Sequence, residues 1–221
     1  MHPGFHAIVE SFPVGPLGCN CTVIGDPETK EAIVVDPGDD ADRVAAVLRR
    51  HGLAAKAIVH THTHIDHVGA TADVQKDTGA PVLLHEADLF LYEMLAVQAG
   101  MLGMPVPRTT TVDRFLADGD VVRAGKIELG VVHTPGHTPG SVTFVASAQG
   151  LVFAGDTLFA GSVGRTDLWG GDGGALVKSI RGRIFSLPEE TRVICGHGPD
   201  TTVGVEKRTN PFVGVGARVF G

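Results

Sequence analysis

The stretch Thr-His-Thr-His-Ile-Asp-His, from Thr61 to His67, constrains this chain more than any other part of it. It follows directly on an apolar run, Ala55 to His60, and leads into a segment of helical character. Strand ends that face a helix start are where functional loops sit on a rigid scaffold. His62 and His64 are two residues apart, so both project from one side of an extended segment. Asp66 and His67 come where the chain turns, and their side chains diverge toward a separate point. Three imidazoles packed this closely would repel one another if protonated. They make physical sense as neutral donors around a cation. A solvated histidine-rich loop is the alternative, and the rest of the chain argues against it.

The same arrangement recurs three times. His137 stands in Gly-His-Thr-Pro-Gly after the strand-like run KIELGVVHT, Asp156 follows LVFAG, and His197 follows RVICG. Every candidate ligand group therefore lies just past an apolar strand and before a turn. His62, His64, Asp66, His67, His137, Asp156 and His197 form a set of seven candidate ligands. His133 lies on its strand without such a slot and reads as a supporting residue. His60 and His85 read as core or supporting histidines, and His2, His6 and His51 as peripheral.

Between these points the chain alternates strands and helices. Two strands surround a Pro/Gly turn in the first 25 residues, and Ala32 to Gly38 is a buried strand ending in Asp-Pro-Gly. The next segment places Val44, Val47 and Leu48 on one helical face, with Asp39 or Asp40 as cap and Gly52 as stop. Helices are expected around Gly69–Gly79 and over EADLFLYEMLAVQ, after the strand PVLLH. Met101 to Val121 reads as irregular, and short strands dominate from there. A helix with the stripe Leu176, Val177, Ile180, Ile184 and Phe185 precedes the last core strand, and the segment TTVGVEKRTNPF reads as a tail. Strand–helix–strand order of this kind implies an α/β layer fold. No internal repeat or low-complexity linker divides the chain, so one domain over 1–221 is expected.

Bulk properties exclude several classes. Hydrophobic residues make up 43% of the 221, enough for a sizeable core, and aromatic residues only 5%, so aliphatic side chains must fill it. The formal net charge is −7, without a basic run, which argues against nucleic acid. No apolar run reaches the roughly 18 residues of a membrane span, and the first residues lack a secretory pattern. Cys19, Cys21 and Cys195 are too few and too odd in number for a disulfide framework. The expected location is the cytoplasm.

H-x-H-x-D-H, G-H-T-P-G, G-D-T-L-F and the late G-H together resemble the metallo-β-lactamase superfamily across essentially the whole chain. That resemblance implies a four-layer αβ/βα sandwich: two mixed β-sheets flanked by helices, with the metals at one edge. It implies that His62, His64 and His137 hold one ion, that Asp66, His67 and His197 hold a second, and that Asp156 bridges them. The segments GDTLFAGSVGRTDLWGGD and GHGPDTTVGVEKRTNPF resemble the glyoxalase II (hydroxyacylglutathione hydrolase) branch, in its short bacterial form without the added helical substrate domain. The implied reaction is hydrolysis of a small-molecule thioester, such as S-lactoylglutathione, by a metal-bridging hydroxide, with Asp66 and Asp156 as catalytic carboxylates. Two divalent ions are implied, Zn2+ by default, with Fe or Mn open to the same donors. Arg165 and Lys207 are candidate substrate contacts, and an Arg165–Asp167 ion pair competes with that role. Tyr92, Met101, Leu102 and Met104 are candidates for the mouth of the site.

Two other readings share the fold. A persulfide dioxygenase, which the G-R-T-D segment also resembles, would use one iron on His62, His137 and Asp156. A lactonase would use the same core. Export and a cysteine in the place of Asp156 mark the zinc β-lactamases; here that place holds Asp156, and export is not expected. A closed structural zinc site usually has four ligands, often cysteines, whereas seven nitrogen and oxygen donors leave positions open for chemistry.

Overall fold

A computed structural model describes residues 6–217; His2, expected to be peripheral, lies outside the described residues. Six strands form the first sheet in sequence order: β1 (Ile8–Val14), β2 (Cys19–Gly25), β3 (Glu31–Val35), β4 (Ala54–Val59), β5 (Val82–His85) and β6 (Arg114–Leu116). The first three are antiparallel, and β3 to β6 run parallel. The second sheet contains β7 (Val121–Ala124), β8 (Ile127–His133), β9 (Val142–Ala146), β10 (Leu151–Gly155), β13 (Arg192–Cys195) and β14 (Thr201–Thr202), in the order β14-β13-β10-β9-β8-β7. Between β10 and β13 a two-stranded ribbon, β11 (Leu158–Phe159) with β12 (Ser162–Val163), packs its buried Leu158 into the core outside the second sheet.

The layers follow from which faces are apolar. Ile33, Val35 and Val59 of the first sheet meet Leu129, Phe144 and Phe153 of the second in one buried core between the sheets. The outer face of the first sheet buries Val23, Val34 and Ile58 against α1 (Ala41–His51) and α3 (Thr71–Thr78). The outer face of the second buries Val152 and Val193 with Leu176 of α6 (Gly173–Ser179) and Val203 of α7 (Val203–Thr209). Helix, sheet, sheet, helix is the four-layer sandwich expected. Cys19 and Cys21 are fully buried on the same face of β2, as small core residues.

Strand direction decides where function collects. β3, β4 and β5 are parallel, and β8, β10 and β13 also share a direction because β8–β9 and β9–β10 are both antiparallel pairs. Asp36, the loop after His60, and the loops holding His137, Asp156 and His197 thus all leave C-terminal strand ends. In open α/β sheets that is the edge where ligands bind. Backbone bonds from Val142 N to Thr61 O (2.7 Å) and from Asn20 N to Gly196 O (2.7 Å) tie the two sheets together there.

Local expectations changed in four places. Val44, Val47 and Leu48 are the buried face of α1, and Gly52 ends it in a left-handed conformation. Asp40, one of the two expected, is the N-cap residue, but it caps through its backbone carbonyl alone: it is left-handed (φ 53°) and its carboxylate accepts from Gly15 N. The helix expected over EADLFLYEMLAVQ divides into a 3-10 turn, α4 (Leu89–Glu93) and α5 (Leu95–Leu102). Leu91 O accepts from Met94 N at 3.1 Å, which closes α4 tightly, and also from Gln98 Nε2 at 2.8 Å, across the break. The stripe helix ends at Ser179 and continues as a wider π turn through Ile184. Finally, the expected tail carries β14 and α7, started by Thr202, whose hydroxyl accepts from Val205 N. No helix among the described residues is long and apolar enough to cross a membrane.

Candidate metal centre

All seven candidate ligands converge. Donor atoms of His62, His64 and His137 lie within 4.8 Å of one another, as do those of Asp66, His67 and His197, and a third group joins His62, His67 and Asp156. Asp156 spans the two ends. Its Oδ1 is 3.3 Å from His67 Nε2 and 3.7 Å from His197 Nε2, while Oδ2 is 3.6 Å from His137 Nε2. Asp66 Oδ2 lies 3.0 Å from His197 Nε2 and 3.8 Å from His67 Nε2.

The donors fit cations. His62 Nε2, His64 Nε2, His67 Nε2 and Asp156 Oδ1 are buried without a hydrogen-bond partner. Buried polar atoms are almost always satisfied, so four orphans on these clustered side chains call for a group that protein atoms do not supply. Burial, then the neighbouring histidines, depresses the pKa of His62, and does the same to His64, lowering it to about 3. Burial likewise depresses His137, against the pull of Asp156. These three rings favour the neutral form, and His64 Nδ1 and His137 Nε2 face each other at 2.9 Å. At the other end burial again opposes protonation, but Cys19, Asp156 and Asp66 outweigh it and raise His67 well above its ordinary value. Burial also resists ionisation of Asp66, and His67 and His197 more than offset it. The carboxylates thus draw positive charge to this end, which a divalent ion satisfies in place of a proton.

Each histidine at risk of rotating is held from behind. Asp36 Oδ2 lies 3.0 Å from His67 Nδ1, and the same carboxylate accepts from Thr61 N (2.7 Å) and Thr61 Oγ1 (2.6 Å). His137 Nδ1 donates to Arg165 O at 2.7 Å, and His197 Nδ1 to Leu17 O at 3.1 Å. Such partners fix the tautomer so that Nε2 faces the ion. Asn20 secures the loop of His197, its amide donating to Cys195 O (3.0 Å) and Gly198 O (2.9 Å).

The metallo-beta-lactamase superfamily model matches residues 14–197, which include all seven of these side chains. The chain belongs to the metallo-β-lactamase superfamily. Among curated relatives of this superfamily member, hydroxyacylglutathione hydrolase GloC of Haemophilus influenzae is 37% identical, covering 93% of this chain and 97% of its own. The mitochondrial persulfide dioxygenase ETHE1 of Mus musculus is 31% identical over 93% of this chain and 76% of its own. Among solved structures, TTHA1623 in a di-iron-bound form is 43% identical with a TM-score of 0.82, covering 90% of this chain and 97% of that one. BLEG-1, a B3 metallo-beta-lactamase, is 39% identical with a TM-score of 0.88, covering 93% and 99%. Superfamily membership and the His/Asp cluster together make this a metal-binding, hydrolase-like enzyme for divalent ions.

Other expected residues of this superfamily member fall elsewhere. The Arg165 guanidinium is exposed and forks onto Asp167, with Nε–Oδ1 2.7 Å and Nη2–Oδ2 2.8 Å, so the competing ion pair is what forms. Arg165 reaches the centre through its carbonyl alone. Lys207 points away: it lines a surface cavity with Arg181, Phe185 and Val213, and its Nζ donates to Phe185 O. Helix α7 puts its residue-207 face on the outer layer, which a reading of that segment as a tail could not foresee. Tyr92 is buried and bonded to Thr110, Met104 packs on the α4–α5 cluster, and Met101 is 64% exposed. His60 is buried in the core with Nε2 at 3.2 Å from Thr71 Oγ1, and His85 stacks on His133 at 4.3 Å between centroids. Sequence reasoning missed Asp36, Asp88 and Asn20. Asp36 had a signal, since it ends an apolar strand as Asp156 does; Asp88 and Asn20 had none.

Proposed function

We propose that this enzyme is a dinuclear metal-dependent thioester hydrolase of glyoxalase II type, with one catalytic domain and with zinc as its usual metal. The observation that carries the two-ion reading is Asp156, whose two oxygens face separate ligand groups. His62, His64 and His137 hold the first ion and Asp66, His67 and His197 the second. The GloC relative, alike over nearly its full length, supports the thioester class.

When bound, a pair of divalent ions supplies a water activated near neutral pH and a Lewis acid for a carbonyl oxygen. The protein's own groups set the direction of approach. His62, His67 and His137 are sealed, whereas Asp66, Asp156 and His197 retain 15%, 13% and 28% side-chain exposure. Substrate therefore enters from the His197 end, beside the Phe159 ring, whose centroid is 6.3 Å from that of His197. On this open side the Asp66 carboxylate, kept ionised by its histidine neighbours, accepts a hydrogen bond from the attacking water and aligns it. A thiolate leaving group, from a thiol of pKa about 8.5, departs without a general acid.

The test is thiol release, followed colorimetrically, from S-lactoylglutathione and a panel of other acyl thioesters. Turnover of at least one, abolished in Asp156→Ala, is expected. A metal-loaded enzyme that releases no thiol from any of them contradicts the reading. The second reading, a persulfide dioxygenase on His62, His137 and Asp156, draws on the ETHE1 relative and predicts oxygen uptake with glutathione persulfide. The full second ligand set favours the hydrolase. BLEG-1 is described as a B3 metallo-beta-lactamase, so ring opening of a β-lactam and of a lactone, which releases no thiol, is followed separately by absorbance and by acid release.

A further inference from the structure

Asp88 is fully buried, outside the ligand set, and its carboxylate bonds to groups that adjoin His62, His64 and His137. Its Oδ2 accepts from Thr63 N (3.1 Å), the backbone amide between His62 and His64. The same oxygen accepts from Thr138 Oγ1 (2.8 Å), the residue after His137. Oδ1 accepts from Gly140 N (2.5 Å), at the end of the Gly-His-Thr-Pro-Gly turn. Thr63 Oγ1 donates back to Asp88 O at 2.8 Å. One carboxylate therefore spans the gap between the two sheets and joins the loop of His62 and His64 to the loop of His137. The packing is close: a side chain at Gly140 would collide with the Asp88 carboxylate. His67 and His197, on the side of the other ion, have further supports of their own, Asp36 behind His67 and Leu17 O behind His197.

We propose that Asp88 is a positioning residue that sets the spacing of His62, His64 and His137 and thereby the affinity of the first metal site. The inference rests on the reading that those three histidines hold an ion. It makes Asp88 selective: its removal loosens one site of the pair and leaves the other. A buried carboxylate that only stabilised the sandwich would act on both sites together.

The experiment is zinc titration of the metal-free protein by calorimetry, on wild type and Asp88→Asn, each also in a His197→Ala background that isolates the first site. Asparagine keeps the size but turns a donor toward at least one of three donors. Expected is a loss of about 10- to 100-fold in first-site affinity, the range seen when a ligand's supporting group is removed, with second-site affinity changed by no more than a few-fold. Thr138→Val, which removes one of the three bonds, should show the same selectivity more weakly and covers the case in which Asp88→Asn does not fold. Val213→Ala, a core change in the α7 layer, controls for general destabilisation. Equal weakening at both sites, as in that control, or wild-type affinity at both, overturns the proposal. Wild-type protein that takes up no zinc removes the reading beneath it as well.

Discussion

His67 enters the centre with its Nδ1 against Asp36, and Asp36 is itself fixed by two bonds from Thr61 and a left-handed backbone (φ 50°). Replacing Asp36 by alanine should cost the second site roughly 10- to 100-fold in metal affinity, measured by equilibrium dialysis, and the first site less, through Thr61 Oγ1, which lies 3.2 Å from His62 Nδ1. Equal affinity in variant and wild type would mean that His67 needs no support. Asp88 makes a second prediction. Burial lifts its carboxyl from the ordinary 3.8 to about 6, partly opposed by its bonds from Thr138, Gly140 and Thr63. The folded state thus holds this proton more tightly than the unfolded chain does. That contribution to stability is complete below about pH 4 and is lost as the pH rises through about 6. In the metal-free protein, urea unfolding of wild type relative to Asp88→Asn should lose on the order of 3 kcal/mol between pH 4 and pH 7. A pH-independent difference would contradict it. The seven clustered side chains were legible because histidine and aspartate beside strand ends carry a local pattern. Asp88 was not, because its partners lie 25 to 52 residues away and a lone aspartate before a helix looks like any cap.

Strands carried the sequence reading better than helices did. An apolar run of five or six residues has one use in a four-layer fold, and each such run became a buried strand. Helices depend on contacts the pattern does not hold. Gln98 bridges the break in one by bonding Leu91 O and, with Oε1, accepting from Ile65 N (2.9 Å) in the ligand loop. That break serves the site, since it brings α5 onto the His64–Asp66 turn. The strand ends are equally exacting. Gly196 follows β13 and passes so close to Asp156 Oδ1 and His67 Cε1 that a Cβ there would overlap both. Gly196→Ala should therefore displace the shared carboxylate, lowering zinc content to about one ion per chain or less while far-UV circular dichroism stays native. A variant that keeps two ions would show that the β13 end can shift without consequence.

As a whole the molecule buries one end of its metal cluster and opens the other. The sandwich core, with Phe144 and Phe153 fully enclosed between sheets, fixes the five strand ends that approach from both sheets, those of β3, β4, β8, β10 and β13. That rigidity keeps the orphaned histidine nitrogens close together without unfolding to satisfy them. The fold and the ligand set followed from motifs repeated at strand ends. The substrate contacts did not, because Arg165 and Lys207 are surface cations whose partners are decided by packing. Elemental analysis of the purified protein, as ions per chain, tests the central claim most directly. The account predicts about two divalent ions, zinc or a zinc–iron mixture, both lost in Asp156→Ala. A single iron per chain with little else would contradict it and support the dioxygenase.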